Sequence, residues 1–177
     1  MTATTDQLVA ACQQQDRDAQ QMLYEQFSGR LYRLAVRMVG NEDADDVTQQ
    51  IFLQLFRTIT QFAGRSGFET WLYRLAVNEC LQHLRRRKRK ALQPLLEEPA
   101  SHQRDAGARV EQRELIEAAL ERLDPDLRAV FVLREVEQLN YREIADALDL
   151  SDGTVASRLN RARKQLREIL LDMGWVP

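Results

Sequence analysis

The chain has 177 residues, 44% of them apolar, enough for one medium core or two small ones, and only seven Gly and four Pro interrupt a helix-favouring composition. No segment reaches the length of a membrane span, and the opening MTATTDQLVAACQQQ lacks the basic flank and apolar centre of an export signal, so the sequence predicts a cytoplasmic protein with no membrane insertion. The net charge is −2, yet residues 85–90 carry +6 and residues 151–170 carry +3, leaving −11 elsewhere, which predicts local docking on a polyanion at two places.

Leu23, Phe27, Leu31, Leu34 and Met38 recur at spacings of four, four, three and four, one face of a helix. Gly40 is the expected stop, and Asn41 followed by Glu42 and Asp43 reads as an N-cap with an acidic first turn. The next helix, 42–58, buries Val47, Ile51 and Leu55, with Phe52 and Phe56 widening the stripe. Its polar side carries Asp46, Gln49, Gln50 and Arg57, with Leu53 among them. TQFAGRSG (60–67) breaks the period, and a long helix starts near Ser66. On its body, 68–90, Thr70, Arg74, Asn78 and Arg85 form a polar stripe beside Trp71 and Gln82, running into Arg85–Lys90. Phe68, Leu72 and Leu75 make a second face, and Tyr73, Val77 and Leu84 a third, so this helix is central to its bundle.

Periodicity fails between about Ala91 and Gln112, where Pro94, Pro99, Ser101 and Gly107 stand among mixed charges, a linker composition. Helical spacing resumes with Leu115, Ala119 and Leu123, and Asp124-Pro125 reads as an N-cap followed by Pro at the first helical position. Tyr141–Leu148 is a short helix with Ile144, Ala145 and Leu148 inward. Asp149-Leu150-Ser151 is a tight connection, with Ser151 capping a helix that buries Val155, Leu159, Ala162, Leu166 and Ile169. This is helix-turn-helix patterning. Opposite that stripe lie Ser157, Asn160, Arg161 and Lys164, with Arg158 and Arg163 flanking. Hydroxyl, amide and guanidinium groups read base edges, and the cations suit phosphates. The fold class is therefore all-α: two helical domains, 1–92 and 112–177, joined by a flexible linker, 93–111, with the helix-turn-helix in the second.

Little in the chain points to catalysis. Cys12 and Cys80 form no disulfide framework, and Cys80 with His83 gives a C-x-x-H spacing without a second ligand pair, so neither metal nor cofactor is expected. Asp45 and Asp46 point about 100° apart on a helix, which argues against a shared metal. No nucleophile–base constellation or phosphate-cradling Gly loop is present, so an enzyme is not expected.

FAGRSGFETWLYRLAVN (62–78) resembles the segment that follows the specificity loop of extracytoplasmic-function (ECF) sigma factors. EDADDVTQQIFLQLFR (42–57) is similar to their D-V-x-Q-x-x-F helix through Asp46, Val47, Gln49 and Phe52, and LREVEQLNYREIADALDLSDGTVASRLNRARKQL looks like their second DNA-binding domain. The three motifs occur in order with a linker between them. The resemblance implies a promoter-specific initiation factor. Its first domain would bind core RNA polymerase and melt the −10 element by capturing a flipped base of the non-template single strand, and its second would read duplex at −35. An anti-sigma factor is the implied regulator.

Carried over by position, Asp46, Gln49, Leu53 and Arg57 would face the polymerase. Phe62 and the rest of loop 61–67, with Arg65 and Ser66, would line the base pocket, while Thr70, Trp71, Arg74, Asn78 and Arg85 follow the −10 DNA. Ser157, Arg158, Asn160, Arg161, Arg163 and Lys164 would contact −35. Two departures stand out. Ala156 occupies a recognition-helix position that is often Arg or Lys, and Ala63 and Arg65 replace acidic or other polar loop residues. The alternative reading is a helix-turn-helix regulator with a helical sensor domain, which needs no polymerase surface.

Overall fold

The computed structural model describes residues 4–91 and 108–175, and these form helices joined by short turns. Helix α1 (Thr5–Gln13) begins at a capping box in which Thr4 accepts from the Gln7 N–H and Gln7 reaches back to Thr4. It buries Leu8, Val9 and Cys12, a stripe too short to stand out in the sequence. Asp16 caps α2 (Arg17–Val39) by accepting from the N–H groups of Asp18 and Ala19.

Gly40 ends α2 as predicted, with φ +90° and its N–H on the Val36 carbonyl. A φ of +90° strains any L side chain, so glycine suits the position, and a Cβ there would also have to displace the Glu121 carboxylate, whose Oε1 would lie 2.6 Å away. Helix α3 (Asn41–Thr58) follows at once. Asn41 is therefore its first helical residue rather than its cap, and no side chain caps this end. A one-residue connection leaves no extended residue to hold a capping side chain. A 3₁₀ turn (Ile59–Gln61) and the loop to Gly67 lead into α4 (Phe68–Ala91).

Most of the predicted linker lies outside the described residues, although α5 (Ala108–Arg122) already begins within its last turn. Asp124 and Pro125 open α6 (Pro125–Phe131) as expected, and a π-helical turn (Val132–Val136) extends it. Helix α7 (Tyr141–Leu148) starts from an Asn140–Glu143 capping box, and its left-handed Asp149 leads to Ser151, which caps α8 (Asp152–Asp172) by accepting from the Thr154 N–H. In α7 it is Ala147, with Ile144 and Ala145, that is fully buried, while Leu148 is half-buried.

The two groups of helices share one apolar core. Leu72, Val77 and Cys80 of α4 belong to the same cluster as Val130, Leu133, Leu139 and Ile144, and α4 packs along α7. Two buried charged side chains bind the seam. Glu137, after the π turn, accepts from Tyr73 Oη of α4 and from Arg30 Nε of α2 at 3.0 Å. Arg128, 4% exposed, donates to the carbonyls of Met38 at the end of α2 and of Glu121 and Leu123 at the end of α5, satisfying acceptors that helix ends leave open.

Candidate nucleic-acid and polymerase interfaces

On α3, Asp46, Gln49, Leu53 and Arg57 succeed one another at spacings of three, four and four, and all four are exposed. Leu53 is 63% exposed, whereas Ile51 and Leu55 beside it are fully buried. An exposed Leu is unremarkable alone. Here it sits within a polar row on the face opposite the core, so a partner covering the row would remove its apolar surface from water.

At the far end of α3 the loop is anchored before it is free. The Phe62 ring packs against Phe68 and Trp71, with centroids 5.6 and 5.4 Å apart. Phe68 is 5% exposed and also meets Phe27, so it belongs to the core, while Phe62 and Trp71 are half-buried. Beyond Phe62 the chain turns outward. Ala63, Gly64, Arg65 and Gly67 are exposed and Ser66 is half-buried. Gly64 has φ +68° with open space around it, whereas Gly67 makes no close approach, a Cβ there meeting Thr70 Oγ1 only at 3.9 Å.

Along α4, Arg74, Asn78 and Arg85 are exposed on one side, as the helical spacing predicted. Thr70, placed on that stripe by spacing, is instead buried, only 8% exposed. The helix then emerges from the core into the basic run. Arg86 pairs with Glu79 and Arg87 with Asp43, while Arg85, Lys88 and Arg89 line a groove of about 650 Å³ with Gln82 and Arg86. His83 Nε2 lies 3.0 Å from the same Asp43 carboxylate, at an angle that makes no hydrogen bond. Cys80 is fully buried beneath this stretch, and burial, with Glu79 nearby, pushes its thiol up to about 12.

On α8 the buried positions are Val155, Leu159, Ala162 and Leu166, with Ile169 half-buried. Ser157, Asn160, Arg161 and Lys164 are exposed opposite them. Ser157 Oγ is turned back onto the Thr154 carbonyl at 3.0 Å. Arg158 is half-buried. Arg163 leans sideways to Glu135, its Nε 3.1 Å from Oε1. An exposed pair of this kind is worth under about 1 kcal/mol, so a phosphate can take its place.

Three features had no usable signature in the helical pattern. Gln13 donates to backbone carbonyls next to the loop, and nothing separates it from its neighbours Gln14 and Gln15 in the sequence. The helical spacing singles out neither Glu137 nor Arg128, and both are buried. For Arg128 a hint existed, because it stands between Leu127, Ala129 and Val130, all buried. Tyr73, predicted apolar, also carries a hydrogen bond, and burial together with Glu137 raises its phenol well above the usual value.

Comparison with known proteins matches residues 23–90 to the Sigma-70 region 2 family and residues 113–166 to the Sigma-70, region 4 family. The chain is 36% identical to the ECF RNA polymerase sigma-E factor of Haemophilus influenzae, over 92% of this chain and 93% of that protein. It is 32% identical to the sigma-E factor of Escherichia coli K12, over 92% of each. With the ECF sigma factor SigE of Mycolicibacterium smegmatis the identity is 39%, over 84% of this chain and 60% of the relative. Among solved structures it is similar to CnrH in complex with the cytosolic domain of CnrY, with a TM-score of 0.69 and 27% identity over 94% of this chain and 96% of that one. The fold is also that of the sigma factor RpoE bound to the anti-sigma factor NepR from Bartonella quintana, with a TM-score of 0.68 and 23% identity over 85% and 95% of the two chains.

Proposed function

The chain belongs to the ECF sigma factors, and we propose from its exposed faces how it confers promoter-specific initiation on core RNA polymerase. Residues 1–92 serve as the polymerase-binding and −10 module and residues 112–177 as the −35 module. The α3 row of Asp46, Gln49, Leu53 and Arg57 docks on the polymerase. Loop 61–67 receives a base flipped from the non-template strand, with Trp71 as part of its wall, and Arg74, Asn78 and Arg85 hold the adjoining DNA. Unstacking a base costs a few kcal/mol, which stacking and edge hydrogen bonds offset. On α8, Asn160 and Arg161 read base edges while Arg158, Arg163 and Lys164 hold phosphates, with Ser157 beside them.

What carries this reading is the exposed polar row of α8, seated on a capped helix-turn-helix whose opposite face is sealed into the core. The factor acts by binding, with no covalent step of its own, and it works in the cytoplasm, where promoter DNA and polymerase meet. No helix among the described residues is long and apolar enough to cross a membrane.

A compact chain of this length has a radius of gyration near 16 Å, whereas elements about 25 base pairs apart lie roughly 85 Å apart on B-DNA. Reading both elements therefore separates the modules and breaks the Glu137 contacts to Arg30 and Tyr73. Because two structural relatives are solved as complexes, one with the cytosolic domain of CnrY and one with the anti-sigma factor NepR, an anti-sigma factor is the expected partner of the idle protein.

The test is transcription by purified core polymerase, with and without this protein, from templates altered separately at −35 and −10. Dependence of initiation on both elements is the expected result. Binding to duplex that is unaffected by polymerase, with no initiation, would instead identify a helix-turn-helix regulator.

A further inference from the structure

The loop that receives the flipped base is held from the first helix of its module, far away in sequence. Gln13, the last residue of α1, sends its side-chain amide to two backbone carbonyls 46 and 49 residues away, Ile59 at 3.1 Å and Phe62 at 2.9 Å. Ile59 closes the 3₁₀ turn by accepting from the Phe62 N–H. Phe62 is the last residue before the chain turns outward, and its carbonyl begins the peptide that leads into Ala63 and Gly64. Its ring is already fixed against Phe68 and Trp71. A ring contact alone leaves the following peptide plane free to rotate; a hydrogen bond to the carbonyl does not. Helix α1 is itself seated firmly, with Leu8, Val9 and Cys12 between 1% and 5% exposed. The amide is thus presented from a rigid element.

We propose that Gln13 is a positioning residue for −10 recognition: by clamping the Ile59 and Phe62 carbonyls it sets the direction in which residues 63–67 leave the 3₁₀ turn, and so where the captured base sits. Gln13 lies ahead of the stretch matched to the region 2 family, 23–90, and makes no contact with DNA in this role. The proposal rests on the reading of loop 61–67 as the base receptor. A mobile loop would have to be ordered each time a base enters, whereas a clamped one is ordered beforehand, so the gain appears in strand opening.

The experiment uses the full chain with core polymerase and compares wild type, Gln13→Leu, Gln13→Glu and Gln13→Lys. A parallel variant replaces residues 63–67 by a Gly-Ser stretch of equal length. Three quantities are read: open-complex formation from fluorescence of 2-aminopurine in the non-template −10 strand, base preference across −10 variants, and melting temperature with −35 duplex binding as controls. Leu cannot donate and an ionised Glu faces two carbonyls, so both should lower open-complex formation by about five- to tenfold, the equivalent of one or two hydrogen bonds, and flatten the −10 preference. Lys, which donates, should restore much of it. Gln13 variants that behave as wild type while the loop replacement abolishes −10 preference overturn the role of Gln13 and leave the loop reading standing. A loop replacement without effect on −10 preference overturns both. Equal losses in −35 binding and melting temperature would make Gln13 a structural residue only and also overturn the proposal.

Discussion

Helices α4 and α8 are 24 and 21 residues long, and each presents a basic face proposed to meet DNA. They are embedded differently. Helix α4 commits Phe68, Thr70, Leu72, Tyr73, Ala76, Val77 and Cys80 to the interior and packs against α2, α3 and α7. Helix α8 buries Val155, Leu159, Ala162 and Leu166 along one stripe. A helix with one buried side has a surface that can change without disturbing the fold. In a helix buried on two sides, the reading surface and the core share neighbours, so changes near the −10 reader carry over into stability. On the proposed assignment, the reader at −35 is separable from the fold and the reader at −10 is not.

The strongest way to break this contrast is through the aromatic cluster at the start of α4. Phe68→Ala removes a ring that is 5% exposed and touches Phe27, Phe62 and Trp71, and should cost about 3–5 kcal/mol in urea unfolding. Half-buried Phe62 loses less area, so Phe62→Ala should cost about 1–2 kcal/mol while reducing open-complex formation as well. Equal stability losses for the two would make Phe62 a core residue and move the base pocket wholly into 63–67.

A smaller effect separates the helices by pH. Cys80 of α4 is neutral in the folded chain, with its thiol pushed up to about 12, and Cys12 of α1 is also raised, by burial and then by Asp16. An unfolded thiol titrates near 8.5. Above that pH the unfolded chain gives up a proton that the folded chain keeps. The thiol's contribution is therefore complete below about 8.5 and is lost as pH rises toward 12, at no more than about 1.4 kcal/mol per pH unit for each thiol. The difference in unfolding free energy between wild type and Cys80→Ala should shrink from pH 8.5 to 11. A constant difference would show that Cys80 titrates alike in both states. The buried side chains of α8 include no titratable group, so none of this slope arises there.

How much of this could be read from residues alone follows the same division. The end of α3, the starts of α6 and α8, both ends of α7 and the polar row of α8 were legible because a single buried stripe leaves a regular spacing. Thr70 was misplaced because its neighbours in space, not its spacing, decide its burial. The hydrogen bonds of the Arg30–Tyr73–Glu137 seam and of the Gln13 clamp join residues 46 or more positions apart, and each participant looks locally like a solvated polar residue or an ordinary core aromatic. Asn41 looked like a cap, but the one-residue turn at Gly40 left it inside the helix. Legibility fails where a polar group is placed by tertiary structure.

Arg161→Ala gives the smallest change in the fold and so the sharpest view of the other half of the contrast. Arg161 is exposed, lies opposite the stripe of Val155, Leu159, Ala162 and Leu166, and makes no ion pair among the described residues. Its removal should leave unfolding free energy within about 0.5 kcal/mol of wild type. If its guanidinium grips a guanine edge, binding to the −35 element should fall by about 1–3 kcal/mol and preference should relax at one promoter position. A phosphate contact would instead weaken every −35 variant alike and make the salt dependence shallower by about one unit. Nearby Arg163 supplies an internal comparison, since it must first leave Glu135. Arg163→Ala should therefore cost less in binding than Arg161→Ala and leave −35 preference intact. If binding to the −35 duplex is unchanged in both variants, the exposed row of α8 is not the promoter-reading face, and the separation between the two helices loses its functional half.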